Sequence, residues 1–307
     1  MSKNKIKKSF LGLLLLIGVF IYNNYLEEPI NKVFKEIDST YNEKDDYNAR
    51  YVDGNLSVEY IDVGQADCIL ISNNNQYMLI DAGNNEDGEK LVTYFNSLGI
   101  TKFDYVVGTH AHEDHIGGID DIIDNFDIET FYMPDVVTTT KTFEDVIVSL
   151  ENKQLAFSTP KIGSTFNLDD AEVRVLYVGE DESDLNDTSI ILKMTHGSND
   201  FLFMADASTK VEKEILNDNI DAEVLKVGHH GSQYSSSLNF LKKVNPKLAI
   251  IPTETGNIYG HPRKEILDRL DDLNIKVYRT DLDGTIVVSS DGEKLDVSLK
   301  ETDTNGN

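Results

Sequence analysis

The stretch Thr109–Gly118, THAHEDHIGG, crowds three histidines, a glutamate and an aspartate into six positions and then ends in a glycine pair. Imidazoles and carboxylates packed this densely are costly to bury unless a cation holds them, so any fold for this chain must bring the stretch to a metal. The chain has seven histidines, and six fall in three short stretches: His110, His112 and His115; His229 and His230; and His261. Each stretch follows an expected strand or opens an expected helix. His110 and His112 sit two apart at the end of the strand FDYVVGTH, so both point the same way and can share one ion. Asp114 and His115, from the turn beyond, can reach a second. Gly117 and Gly118 let the backbone fold tightly into the next helix.

A bridging carboxylate must then come from elsewhere. FLFMAD offers one, an apolar strand ending in Asp206, and LKVGHH offers a further imidazole. Neutral imidazoles and carboxylates suit zinc, manganese or iron, not calcium. The expected cofactors are two divalent metal ions, Zn or Mn. Ions about 3.5–4 Å apart can hold a bridging hydroxide and clamp a scissile group.

Composition limits the partners. The chain has 307 residues and a formal net charge of −26. Such acidity excludes a broad, non-specific nucleic-acid surface, though not a nucleic acid in a cleft where metal ions supply the positive charge. The single cysteine, Cys68, excludes an intrachain disulfide and a multi-cysteine zinc site, and in CILI it reads as a small buried hydrophobe.

The N-terminus differs from the rest. Residues 1–8 form a basic flank with Lys3, Lys5, Lys7 and Lys8, and residues 9–26 are apolar enough to reach the lower limit of a membrane span, about 17–25 residues. The lysines predict a cytoplasmic start and export of the remainder. No A-x-A-like cleavage site comes after it, so the expectation is an uncleaved anchor on the cell membrane with the catalytic part extracellular; the alternative is secretion after signal cleavage. Residues 27–54 read as a polar linker, 55–300 as the folded domain, and 301–307 as a disordered tail.

Within the domain, short β-rich runs alternate with helices. LSVEYIDV, DCILIS and QYMLIDA are strands, the last two joined by a hairpin turn at NNNQ. A helix covers EDGEKLVTYFNSLG, and another runs from Ile116 to Asn125. Further strands are EVRVLYV, SIILKMT, DFLFMAD, AEVLKVG and KLAIIP. GHPRKEILDRLDDLN is a helix with Pro262 in its first turn. Two β-rich halves with helices between them predict an α/β sandwich of sheets covered by helices.

The motif HAHEDH matches the H-x-H-x-D-H signature of the metallo-β-lactamase superfamily, and the resemblance implies that family's αββα sandwich with the site at one edge. More narrowly, IDVGQADCILI, LIDAG, THAHEDHIGG, NDTSIILK, FLFMADAS, LKVGHHGS, YGHP and VYRTDLDGTI resemble, in order, the metallo-hydrolase domain of the competence DNA-uptake protein ComEC. The likeness covers residues 55–298, without the polytopic channel that accompanies the domain in that family. It implies His110 and His112 on one metal, Asp114 and His115 on the other, and Asp206 as the bridge. One histidine of the adjacent pair completes the second site. Adjacent residues of extended chain point oppositely, which favours His229 as that ligand, with His230 lining the pocket as a catalytic residue.

The chain departs from the family at one ligand. A further histidine is common about twenty residues before the bridging aspartate; here the region reads Asn186-Asp187-Thr188-Ser189. His196 is the histidine nearest to it, but THGSND reads as a hairpin turn, which predicts a surface position. Asn186, Asp187 or water then fills the gap, and the loss of a nitrogen ligand shifts preference toward manganese. Asp81 is placed to accept from a ligating imidazole, and Asp62 and Asp67 either do likewise or cap turns. His261 opens a helix, where it could donate to a phosphate oxygen or protonate a leaving group; Asp114 would orient the nucleophile. Gly231, Ser232, Tyr259 and Gly260 line the expected substrate site, with Lys226, Arg263 and Arg279 as nearby cations.

These readings predict a metal-dependent hydrolase whose substrate is a phosphodiester, DNA included. The alternatives are another ester, such as a phosphorylcholine ester, a lactone or a β-lactam, and a non-catalytic binding module.

Overall fold

In this computed structural model the chain is described over residues 56–180 and 183–300. The expected anchor, linker and tail lie outside the described residues. Among the described residues no helix is long and apolar enough to cross a membrane.

The first half builds strands β1 (Leu56–Tyr60), β2 (Cys68–Asn73), β3 (Gln76–Ala82), β4 (Lys102–Val107), β5 (Asp127–Tyr132) and β6 (Phe157–Ser158). Asn74 and Asn75 both take positive φ, 47° and 63°, which is what a two-residue hairpin between β2 and β3 demands of its corner. The second half builds β7 (Thr165–Leu168), β8 (Ala171–Tyr177), β9 (Ile191–His196), β10 (Asn199–Phe203), β11 (Val224–Lys226), β12 (Leu248–Ile251) and β13 (Lys276–Arg279). The chain then returns to the first sheet through β14 (Thr285–Ser290) and β15 (Leu295–Lys300). The sheet orders are β15-β14-β1-β2-β3-β4-β5-β6 and β13-β12-β11-β10-β9-β8-β7.

Alternation along the strands creates three apolar layers. Val58, Ile69, Ile71, Met78 and Ile80 of the first sheet meet Val173, Leu192, Phe201 and Phe203 of the second in a central core. Leu70, Leu79 and Val106 face the opposite way and pack beneath α1 (Gly88–Ser97), α3 (Ile119–Asn125) and α4 (Lys141–Lys153), the short α2 (Glu113–Ile116) lying beside them. Leu202, Leu225, Ala249 and Ile251 pack beneath α5 (Thr209–Ile215), α6 (Leu238–Val244) and α7 (Lys264–Asp272); α8 (Thr280–Asp283) precedes β14. The architecture is the expected helix–sheet–sheet–helix sandwich.

Several local expectations are corrected. The helix expected from Ile116 to Asn125 is two, because the chain breaks at Gly117–Gly118. A Cβ on Gly117 would lie 2.3 Å from the Asn84 carbonyl carbon, and one on Gly118 would lie 2.6 Å from the Ala82 oxygen. The pair is therefore required by close approach to the end of β3. Pro262 lies before α7, whose first residue is Lys264, so His261 belongs to the preceding loop. His196 is buried, not on the surface. Its hairpin turn packs against the turn after β14, where Ser198 N–H donates to Gly292 O at 2.7 Å, and its Nδ1 lies 2.9 Å from Ser290 Oγ.

Candidate metal centre

The parallel strands β3 and β4 of one sheet and β10, β11 and β12 of the other all end at the same edge of the sandwich. Loops leaving the carboxyl ends of parallel strands are where α/β folds gather functional groups. β4 delivers His110, His112, Asp114 and His115; β10 delivers Asp206; β11 delivers His229 and His230.

Asp114, His115, Asp206 and His230 each offer a ligand atom, and the four atoms lie within 4.8 Å of one another. His115 Nε2 is 3.3 Å from Asp206 Oδ1, and His230 Nε2 is 3.5 Å from Asp114 Oδ2 and 3.7 Å from Asp206 Oδ1. His115 Nε2, His230 Nε2 and Asp206 Oδ1 are buried without a hydrogen-bond partner. Leaving three such atoms unsatisfied would cost several kcal/mol, roughly 1–3 for each, so the site fits a cation that all three can ligate. Beside it, His110 Nε2 lies 3.0 Å from His112 Nδ1, so these two rings converge as the spacing predicts. The His110 and His115 rings are 4.1 Å apart, which makes the two pairs neighbours.

The remaining contacts orient the ligands. Asp81 Oδ2 is 2.7 Å from His115 Nδ1, and the same carboxylate accepts from Thr109 N–H and Oγ1 at 2.8 and 2.7 Å. His230 Nδ1 is 2.9 Å from the Pro252 carbonyl; donating there leaves Nε2 unprotonated for a metal.

The charges are strongly coupled. Burial works to lower the pKa of His115, but Asp206, Asp81 and Asp114 hold it well above the ordinary imidazole value. His230 is raised too, with burial outweighed by Asp206 and Asp67. Burial works to raise Asp206 and Asp114, yet the facing histidines hold both below the usual carboxylate range. Without metal, then, protons on His115 and His230 balance the carboxylates; a divalent ion would displace them. His110, buried and facing His115, is held well below its ordinary value and stays neutral.

The profile of the metallo-beta-lactamase superfamily matches residues 61–255, a span that includes every member of this ligand group. The chain belongs to that superfamily. Curated relatives include ComE operon protein 3 of Bacillus subtilis, 31% identical over 250 residues that span 75% of this chain and 32% of the relative. Competence protein ComA of Neisseria gonorrhoeae is 28% identical over 231 residues, spanning 73% of this chain and 31% of the relative. The chain thus spans about a third of the length of these relatives. Among solved structures, the metallo-beta-lactamase fold protein YhfI from Bacillus subtilis matches with a TM-score of 0.54 at 14% identity, covering 77% of this chain and 100% of that one. The expected resemblance to the ComEC type of metallo-beta-lactamase hydrolase is borne out.

Within this superfamily site the structure redistributes some expected roles. His230 joins the four-residue group and His229 does not, the reverse of the sequence preference. The preference assumed extended chain. His229 and His230 instead both take left-handed backbone, φ 49° and 50°, so alternation does not apply, and the buried ring is that of His230. His229 stays partly exposed, its Nε2 3.5 Å from Asp206 Oδ2. Burial and the neighbouring His229, His230 and Arg263 push His261 down to about 4, so it is a neutral ring at pH 7. It stacks beside the exposed Tyr259 and meets His229 edge-on.

Asp187 does not enter the ligand group, while Asn186 Oδ1 is buried without a hydrogen-bond partner. Asp187 Oδ1 accepts from Ser208 N–H at 3.2 Å, turned away to the loop after Asp206. Asp62 accepts from Gly64 N–H, a turn cap on the cleft wall. Asp67 is buried beside His115 and His230, 3.7 Å from each Nδ1. Gly231 packs on Pro262, where a Cβ would lie 2.6 Å from the proline ring, and the Ser232 hydroxyl accepts from Tyr234 N–H. Gly260 turns the loop with φ 66°. Arg279 is paired to Asp281 and Lys226 is wholly buried, so neither is a surface cation beside the substrate. Cys68 is buried and its thiol pushed up by burial, an inert core residue.

A cleft of about 690 Å³ opens at Asp114. Asp62, Glu86, Asp87, Glu113, Glu254 and Tyr259 line it, and its lysine, Lys90, is paired to Asp87 at 3.1 Å. Sequence reasoning missed this acidic wall, since Glu86 and Glu254 lie 168 positions apart (254 − 86) and meet only in the fold.

Proposed function

We propose that this chain is a metal-dependent phosphodiesterase, with DNA among its substrates, holding two divalent ions, Zn or Mn. The observation that carries the reading is the convergence of three unpartnered buried ligand atoms from His115, His230 and Asp206, next to the paired rings of His110 and His112. His110 and His112 would hold one ion, Asp114, His115 and His230 the other, and Asp206 would face both. Divalent ions bound there would act as Lewis acids and bring the ionisation of water into the neutral range. Asp81 and the Pro252 carbonyl keep the ligating rings in one orientation. The neutral rings of His229 and His261 form the rim beside Asp206, where a phosphate oxygen could accept from them.

The names of the relatives, a ComE operon protein and a competence protein, support a nucleic-acid phosphodiester. The acidic cleft favours a second reading: a diester whose alcohol carries a positive charge, such as a phosphorylcholine ester, with Tyr259 against the cation. We further propose that the four lysines and apolar run at the start hold the catalytic part outside the membrane, either as an anchor or, if cleaved, as a secretion signal.

The test is a substrate panel run on chelator-treated protein reloaded with Mn²⁺ or Zn²⁺: linear DNA, RNA, a bis-aryl phosphodiester, a phosphorylcholine ester and a cephalosporin. Metal-dependent turnover of the diesters, lost with chelator, is the expected result. Turnover confined to the cephalosporin would overturn the reading. Preference for the phosphorylcholine ester over DNA selects the second reading over the first.

A further inference from the structure

Lys226, the last residue of β11, is wholly buried. A buried ammonium is costly unless it is paired and hydrogen-bonded, and it costs more than the same space filled by a methionine. Its surroundings give it two tasks. Its Nζ donates to the Ala205 carbonyl at 2.8 Å, and it is ion-paired with the buried Asp67. It also lies 3.8 Å from Asp206 Oδ1.

Both contacts reach the ligands. Ala205 immediately precedes Asp206 and holds left-handed backbone, φ 45°, which a non-glycine residue keeps only when its surroundings enforce it. Its carbonyl also accepts from His229 N–H at 2.9 Å, so one oxygen ties the Asp206 loop to the His229–His230 loop. Asp67 comes from the loop that enters β2 of the other sheet. Its N–H donates to the Asp114 carbonyl at 3.0 Å, its carbonyl accepts from Gly83 N–H, and its carboxylate lies beside His115 and His230.

We infer that Lys226 is a positioning residue that clamps the two halves of the metal centre together: through Ala205 it aims Asp206 and the β11 loop, and through Asp67 it fixes those groups against the β4 loop that carries Asp114 and His115. The inference rests on the metal-centre reading above. The ammonium touches neither substrate nor the reacting atoms; it acts through the ligands' backbone and through Asp67.

The test is calorimetric titration of the full chain with Mn²⁺, together with melting of the metal-free form, for the wild type, Lys226→Met and the double variant Asp67→Asn/Lys226→Met. Loss of a group that orients metal ligands costs about 10–100-fold in metal affinity. Lys226→Met should show that loss and melt lower, because Asp67 is left buried without the ammonium it pairs with. The double variant has no stranded charge, so its melting should recover while its Mn²⁺ affinity stays at least about tenfold weak. It carries the test if the single variant does not fold. Unchanged or tighter Mn²⁺ binding by Lys226→Met overturns the inference. So does a double variant that recovers both melting and affinity, since Lys226 would then serve only as the counter-ion of Asp67. A wild-type chain that takes up no Mn²⁺ overturns the metal-centre reading and the inference with it.

Discussion

Asp81 Oδ2 sits 2.7 Å from His115 Nδ1, while the same carboxylate holds the backbone of Thr109 at the point where the ligand loop leaves β4. One side chain therefore fixes both the tautomer of a ligand and the position of the loop that carries it. Burial raises the Asp81 pKa and His115 opposes that rise, so the pair is mutually dependent. Asp81→Ala frees the His115 ring and the Thr109 N–H together. Metal affinity should fall by about 10–100-fold with the secondary structure retained. Titration with Zn²⁺ or Mn²⁺ alongside circular dichroism checks this; wild-type affinity in the variant would rule the role out.

His229 and His230 occupy one turn but different environments. His230 is sealed behind Asp114 and Asp206, and His229 faces the rim. His230→Ala should lose metal, to half the wild-type content or less. His229→Ala should keep metal content near wild type and lose turnover, by roughly 10²-fold if the ring donates to the substrate. Elemental analysis and turnover of a phosphodiester separate the two. The reverse metal contents would return the ligand role to His229.

The glycine pair gives a prediction about stability. Gly117→Ala places a Cβ 2.3 Å from the Asn84 carbonyl carbon and 2.4 Å from Asn85 N, both backbone atoms that cannot swing aside. Overpacking of this kind costs about 1–3 kcal/mol or more, a fall in Tm on the order of 5 °C for a domain of this size. Gly163→Ala, where nothing lies within 4 Å of the added carbon, should cost only the strain of its positive φ. Calorimetry of the two variants should therefore show the larger loss at Gly117; equal losses would mean that the close approach is relieved by backbone movement.

The sandwich was legible because its strands are short, alternate cleanly and end in turn residues, as Asn74–Asn75 shows. The convergence of the motif's own side chains was legible because H-x-H-x-D-H is local: its spacing alone brings His110 to His112 and sets His115 one turn on. What the sequence hid was non-local or depended on unusual backbone. The choice between His229 and His230 turns on two left-handed residues in succession, which alternation along a strand cannot foresee. Lys226 read as a cation near the substrate because its partner, Asp67, lies 159 positions earlier (226 − 67), in the loop that enters β2 of the other sheet. The helix Lys141–Lys153 carried a readable signal, with Thr140 accepting from Phe143 N–H as its cap and Phe143, Val146 and Leu150 on one buried face.

The coupled titration of the site predicts how the metal-free protein responds to pH. His115 and His230 are held above the ordinary imidazole value in the fold, by Asp206 above all once burial is overcome. A raised group contributes stability that is complete below its unfolded pKa, about 6.5, and is lost as pH climbs toward the folded value. His110, His229 and His261 are shifted the other way, each chiefly by burial. They stay neutral in the fold while the unfolded chain takes up protons, so they remove stability as pH falls below about 6.5. Asp114 and Asp206 are held below the usual carboxylate range and are ionised in both states throughout this window, so they add no slope. The metal-free chain should therefore melt highest near pH 6.5 and lose stability toward both pH 5 and pH 8.5. Mn²⁺ must displace the protons on His115 and His230, so the rise in Tm it produces should grow from pH 6 to pH 8. Melting curves across that range, with chelator and with excess Mn²⁺, test both statements. Metal-free stability that climbs between pH 7 and 8.5 would show that the two histidines are not proton-bound in the empty site.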